Sequence, residues 1–166
     1  MQRFREGIHG WISAASEQAI WADQDGKLPE RQFCAVKITG VRREGAPTYF
    51  PIDGDGNQPI LQGAILTVSV SVFGGATPGA ALDKASALAG SLNRVTVKDR
   101  LRSKGLAFVD LPLSPSDVTR IVGTTNEPRA VFDARFRVNL AEIDPVGWIE
   151  TSSSPVSSAP GTSCSP

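Results

Sequence analysis

Asp53, Asp55 and Asn57 are the residues whose types and spacing come nearest to a chemical site, and they alternate with glycines. Oxygen ligands at the first, third and fifth positions open a calcium-binding loop. The sixth position of such a loop should be glycine and the twelfth a bidentate glutamate, but here they are Gln58 and Ala64. Because this leaves the coordination shell incomplete, the pattern favours a tight turn made of residues that tolerate positive φ.

Other candidates for chemistry are isolated along the chain. His9 is the only histidine, so a His-based triad or a multi-histidine zinc site has one candidate at most. Cys34 lies in an alternating apolar segment and is interpreted as a small core residue. We therefore predict no catalytic residue, no bound metal and no cofactor. The alternative from a different class is a small metal-dependent enzyme that uses Asp53, Asp55 and His9.

The composition excludes several classes of protein. Seventeen basic and seventeen acidic residues give the 166-residue chain a formal net charge of zero, whereas a dedicated nucleic-acid binder usually has a basic excess. Two cysteines, Cys34 and Cys164, are too few for a disulfide framework, so we expect synthesis in a reducing cytoplasm. Charged residues interrupt the first fifteen positions, unlike a signal peptide, and no apolar run is long enough to span a membrane.

The element expected to organise the fold is a strand over 129–143. Its apolar residues recur at every second position, which is typical of a strand with one buried face. The other face is polar and is either a solvated surface with cross-strand ion pairs or a surface that sets register against a neighbouring subunit. The polar-face residues are Arg129, Asp133, Arg135, Arg137 and Asn139.

The remaining pattern predicts an α+β fold in which helices cover one face of an antiparallel sheet. We expect a single domain over 1–151 and a flexible Ser/Pro-rich tail over 152–166. Trp21 and Trp148 are anchors either of the core or of an interface. The predicted helices are 2–16, 77–92 with Thr77 as N-cap and Pro78 next, and 97–103 ended by Gly105. The predicted extended segments are 19–22, 32–43, 60–73, 106–111, 117–122, 129–143 and 147–150. We expect 32–43 and 60–73 to pair as a hairpin across a long loop, 45–59.

An ordered set of segments resembles the small neck or tail-terminator proteins of tailed bacteriophages, over most of residues 1–151. The segments are Ile20-Trp-Ala-Asp-Gln24 with Leu28-Pro29, Val68–Phe73 followed by Gly74 and an Ala/Leu-rich helix, Leu101 with Gly105-Leu-Ala107, Glu127-Pro-Arg-Ala130, and Trp148-Ile-Glu150.

The resemblance implies a non-enzymatic virion protein, located in the tail or neck, that assembles with itself as a ring, usually a hexamer. Such a ring caps the tail tube, stops its polymerisation and joins it to the head-side connector, while DNA passes through the lumen without sequence-specific contact. We expect the loop 45–59, with Tyr49, Asp53 and Asp55, and the polar face of 129–139 to form interfaces. The alternative in the same setting is a head-completion or minor tail adaptor protein.

Overall fold

The computed structural model describes residues 1–15, 18–24, 29, 32–75, 77, 79–122 and 125–147. Within them the chain forms three helices and seven strands, an α+β fold. In chain order these are α1 (Gln2–Ala15), β1 (Ala19–Trp21), β2 (Phe33–Tyr49), β3 (Asn57–Phe73), α2 (Ala80–Ser91), α3 (Val95–Ser103), β4 (Ala107–Asp117), β5 (Arg120–Val122), β6 (Thr125–Glu127) and β7 (Arg129–Pro145). Residues 148–150 of the predicted extended segment 147–150 and the whole predicted tail, 152–166, lie outside the described residues.

The main sheet has five strands in the order β1-β2-β3-β7-β4. β2, β3, β7 and β4 pair antiparallel, as predicted, but β1 pairs parallel to β2, with Ala19 opposite Cys34 and Trp21 opposite Val36. The predicted antiparallel pairing is therefore confirmed for four of the five strands, and β1 at one edge is the exception. Eleven residues separate β1 from β2, which is enough chain to return to the starting end of so short a strand. β5 and β6 form a separate two-stranded hairpin.

The predicted loop 45–59 is shorter than expected, because β2 continues to Tyr49 and β3 begins at Asn57. Glu44 pairs with Gly63 and Thr48 pairs with Leu61, so the three residues 45–47 stand opposite a single residue of β3. Gly45 supplies the positive φ of 69° in this bulge. Glycine and proline are common at bulges, where the ladder is already broken. Only residues 50–56 remain as the loop.

The core lies between the helices and one face of the sheet. The alternating apolar residues of β3 and β7 are buried there, as the period of two predicted. Trp11 of α1 contacts Phe132 and Phe136 edge-on, with ring centroids 6.5 and 6.0 Å away, and its Nε1 donates to Ser91 Oγ at 2.9 Å. Trp21 is 8% exposed and belongs to this core, whereas Trp148 lies outside the described residues.

The helix boundaries differ from prediction mainly at α2. This helix begins at Ala80 and has Gly79, at φ 81°, in the N-cap position without a side-chain cap, so the prediction of Thr77 as N-cap was wrong. Pro78 lies outside the described residues. The end of α3 was predicted correctly: Gly105 has φ 79° and Leu106 N donates to Leu101 O at 3.0 Å, which closes the last turn.

β4 forms one edge of the sheet and extends the predicted strand 106–111, since it continues through Pro112 and Pro115 to Asp117. The predicted strand 117–122 corresponds mainly to the separate short strand β5. Three register shifts interrupt its pairing with β7. Proline cannot donate to a ladder and is therefore tolerated at an edge. None of the helices in the described part of the chain is long and apolar enough to cross a membrane.

Candidate interface surfaces

The face of the sheet opposite the helices is a half-exposed surface, which we call the open face. It contains the polar-face residues of β7 together with Thr67, Ser69 and Ser71 of β3, which lie opposite Arg135, Asp133 and Val131. Most of these side chains are intermediate in burial and two, Arg137 and Asn139, are exposed, while the residues that alternate with them from 64 to 72 and from 130 to 138 are buried. The described helices leave this face uncovered, so it is available for contact with another molecule.

The guanidinium of Arg129 contacts other residues of the same chain. Its guanidinium lies over the ring of Phe73, 4.9 Å from the centroid, and Phe73 stacks on Phe33 with centroids 4.9 Å apart. Arg129 Nη2 also donates to Ser71 Oγ at 3.1 Å. Nε is buried and has no hydrogen-bond partner among the described residues. Arg129 therefore stabilises one end of the open face before any partner binds.

Arg135 makes a two-point ion pair with Asp110 of β4. Arg135 Nε donates to Asp110 Oδ1 at 2.6 Å, and Nη2 donates to Oδ2. The hydrogen bonds from Arg135 hold the pKa of Asp110 below its ordinary value, and the same bonds raise the pKa of Arg135. The pair fixes the edge strand to β7 and leaves less of Arg135 for an outside partner.

Arg137 and Asn139 are exposed near the base of a projecting hairpin. Arg137 Nη2 lies 3.5 Å from Glu44 Oε2, and Arg42 Nη2 lies 2.8 Å from Glu44 Oε1, so two guanidinium groups share one carboxylate. Asp133, half-buried, makes no hydrogen bond or ion pair with the residues that the structure describes. The open face therefore offers an exposed cationic corner and one uncompensated carboxylate.

The ends of β2, β3 and β7 continue past the helix layer as a three-stranded projection, which we call the arm (residues 45–61 and 139–147). Its register brings Tyr49 opposite Ile60 and Asn57 opposite Pro145, so both ends of the loop 50–56 lie at the tip. Several large apolar side chains are exposed there, including Tyr49 at 60% and Ile143 at 71%. The sequence placed Tyr49, Asp53 and Asp55 in one loop, and the structure brings them to this common tip.

Asp53 holds the turn at the tip of the arm. Its Oδ1 accepts hydrogen bonds from Asp55 N at 3.0 Å and Asn57 N at 2.9 Å, which confirms the turn interpretation of this segment. The backbone hydrogen bond from Asn57 is the main reason that the pKa of Asp53 is lowered. The side chain of Asp55 makes no such contact with the described residues. Nowhere in the described part of the chain do three His, Cys, Asp or Glu side chains gather as a metal site would require.

His9 and Cys34 have structural surroundings. His9 Nε2 lies 3.2 Å from Ala19 O, and Nδ1 lies 3.3 Å from Ser13 Oγ, so the imidazole connects α1 to β1. Cys34 is fully buried in the core, as predicted. Both residues are far in sequence from Asp53 and Asp55, and the structure does not bring the four together as a site.

Sequence reasoning missed two acidic partners, Asp110 and Glu44. Asp110 is one of the two acids in β4, and only the irregular register of β4 against β7 places it beside Arg135. Glu44 lies next to the predicted loop and reaches Arg137 because β2 continues instead of turning away. No short-range signal in the sequence marks either pair.

A comparison with known protein families identifies the group to which this architecture belongs. A family model described as phage neck terminator protein matches residues 3–158. This match extends over more than half of the chain. The chain belongs to the phage neck terminator family. The resemblance noted in the sequence is therefore confirmed. Membership of this family gives the protein a structural role in the neck or tail of a bacteriophage particle, among other head and tail proteins. No curated protein matches the sequence of this neck terminator.

Proposed function

We propose that this neck terminator assembles with itself as a ring, hexameric by analogy with related proteins, that caps the tail tube and joins it to the head-side connector. The observation that carries the proposal is the family match over residues 3–158. The open face and the arm support it, because both are exposed surfaces suited to contacts between proteins and not to binding a small substrate. The role is steric and interfacial, without a catalytic step.

The mechanism follows from symmetry. When each subunit presents one surface to the next and the rotation closes, identical heterologous contacts produce a ring of fixed size. A ring with the symmetry of the tail tube covers the end to which the next tube subunit would add, so elongation stops. DNA passes through the lumen without sequence-specific contact. The net charge of zero supports this, since each phosphate contact with a basic side chain adds affinity and would retain the DNA.

The interfaces of this ring include the polar-face residues of β7 and the tip of the arm. Asp133, Arg137 and Asn139 retain exposed or uncompensated polar groups that a neighbour can engage. Tyr49, Asp53 and Asp55 lie at or beside the tip of the arm. Synthesis in the bacterial host cytoplasm precedes incorporation into the virion.

The test is the effect of purified protein on tail tubes assembling in vitro. We expect tubes that end in a cap and stop growing when the neck terminator is added, as measured by negative-stain microscopy of tube lengths. Bovine serum albumin at the same concentration is the control. Unchanged tube lengths, with the protein bound instead to the head-side connector alone, would favour the head-completion or adaptor role.

A further inference from the structure

The tip of the arm combines exposed apolar side chains with an excess of negative charge. Residues 45–61 and 139–147 contain four acidic side chains and no basic ones, a net charge of minus four; the acids are Asp53, Asp55, Glu142 and Asp144. Glu142 is paired with Arg43, while the other three form no ion pair with the described residues. Phe50 and Ile52 are each 44% exposed beside them. An apolar patch with an acidic rim favours a partner that is apolar at the centre and basic around it.

A surface of that kind exists on the same protein, around α3. Residues 94–104 contain five basic side chains and one acidic one, Asp99, a net charge of plus four; the bases are Arg94, Lys98, Arg100, Arg102 and Lys104. Arg102 is paired with Asp99 and Lys104 with Glu6. Arg94, Lys98 and Arg100 form no ion pair with the described residues. The net charges of the two surfaces are thus opposite in sign and equal in magnitude, in a protein whose total charge is zero.

The basic surface includes a small groove with both apolar and polar lining residues. A cavity of about 90 Å³ is lined by Trp11, Ala14, Ala15, Ser91, Arg94, Val97 and Arg100. Its lining is aliphatic and aromatic apart from Ser91 and the two arginines, and both arginines are exposed. One water molecule occupies about 30 Å³ in the liquid, so the groove has the volume of about three waters. One branched aliphatic side chain fits into this volume. We call it the α1–α3 groove.

The arm tip of one molecule does not reach its own groove. Trp11, which lines the groove, packs on Phe136 of β7, and the tip of the arm lies around Ile143 on the same strand. These seven residues of extended chain span about 23 Å at about 3.3 Å per residue. Complementary surfaces that cannot meet within one molecule can meet between two copies.

We propose that the arm tip of one copy docks into the α1–α3 groove of a second copy, with Ile52 in the groove and Asp55 facing Arg94 and Arg100. The contact is heterologous, so it leaves a free tip on one side and a free groove on the other, and it can repeat around a closed ring. The inference rests on the proposed ring and identifies the surfaces that join its subunits. Because the contact is partly electrostatic, it weakens at about 1 M salt, where the Debye length is about 3 Å.

Two charge reversals test the contact. We expect Asp55→Arg alone and Arg100→Glu alone each to raise the concentration for half-assembly by at least about tenfold, because each places like charges together. The double variant Asp55→Arg/Arg100→Glu restores opposite signs, and so does an equimolar mixture of the two single variants, which would assemble with alternating subunits. Asp83→Arg and Lys84→Glu on α2 make the same changes in net charge and are the matched controls. Assembly is measured by analytical ultracentrifugation, and circular dichroism confirms that each variant folds.

The outcomes are distinct. The contact is supported if each single variant loses assembly and if both the double variant and the mixture recover it. Unchanged assembly in both single variants, loss without recovery, or a wild-type protein that stays monomeric at several hundred micromolar would overturn it. Loss of binding to a DNA duplex in Arg100→Glu, with assembly intact, would overturn it in favour of DNA as the partner of α3. If the single variants assemble normally and still cap tail tubes, the proposed function stands and only this inference fails. If the double variant recovers assembly but its rings do not cap tubes, the contact stands and the proposed capping function fails.

Discussion

Asp110 on the edge strand β4 accepts hydrogen bonds from both Nε and Nη2 of Arg135 on β7. The pair joins an irregular strand, interrupted by three register shifts, to one of the longest strands of the sheet. A two-point guanidinium–carboxylate contact has a fixed orientation, so it specifies position as well as charge. Its measurable consequence is a dependence of stability on pH.

We expect Asp110→Asn to lower the melting temperature by a few degrees at pH 7. The pKa of Asp110 is lowered in the folded state by the hydrogen bonds from Arg135, so the ionised form stabilises the fold above the unfolded value of 3.8. This contribution disappears as the pH falls from 3.8 through the lowered folded-state pKa. Thermal unfolding of both proteins between pH 7 and pH 2.5 measures the difference, and a gap that is equally large at pH 2.5 would contradict the account.

Gly7 and Gly10 of α1 form a matched pair. A Cβ at Gly7 would lie 2.7 Å from Leu106 Cδ1 and 2.9 Å from Lys104 Cβ, whereas a Cβ at Gly10 would meet nothing within 4 Å. We expect Gly10→Ala to stabilise the protein by about 0.5–1 kcal/mol through helix propensity. Gly7→Ala gains the same propensity but creates overpacking that costs about 1–3 kcal/mol. Urea denaturation checks both, and equal stabilisation by the two substitutions would show that α1 does not pack closely at Gly7.

Trp11 connects α1 to both the sheet and α2. We expect Trp11→Phe to lose the hydrogen bond to Ser91 Oγ and part of the ring contact with Phe132 and Phe136. Trp11→Ala also leaves a cavity and should cost about 3–5 kcal/mol. The free energy of unfolding in urea measures each loss, with the alanine variant the less stable of the two. If Trp11→Ala changed it by less than about 1 kcal/mol, the core described around this residue would be wrong.

Asp53 stabilises the turn at the tip of the arm through its own backbone neighbours. We expect Asp53→Ala to accelerate hydrogen exchange at the amides of Asp55 and Asn57, since both lose their acceptor. Asp55→Ala is the matched control and leaves these amides protected. Calcium should not change the melting temperature of the wild-type protein, because Asp53 already serves the turn. A calcium-induced shift of several degrees, abolished by both substitutions, would instead support the metal-dependent alternative.

The sequence predicted those features that depend on short-range periodicity. Apolar residues such as Val68 in β3 and Phe132 in β7 occur at every second position, so the buried face of each strand could be identified without a structure. The turn at Gly105 and the pairing of β2 with β3 followed from local rules of the same kind. The family resemblance depended on the order of such segments along the chain.

Features that depend on pairing between distant strands could not be predicted in this way. The parallel pairing of Ala19 with Cys34 depends on where the chain goes between β1 and β2. Gly45 and Pro47 were interpreted as loop residues, because nothing local shows that β3 continues beside them. Asp110 became the partner of Arg135 only through the register shifts of β4. The acidic arm tip and the basic α3 are visible in the sequence as charge, but their separation in space is not.

The proposed capping role depends on the assembly of this neck terminator into a ring. Negative-stain imaging of the purified protein, alone and after addition to tail tubes, tests it most directly. We expect closed rings of one size that also occupy the ends of the tubes. A protein that remains monomeric at high micromolar concentration and leaves the tube ends bare would contradict it.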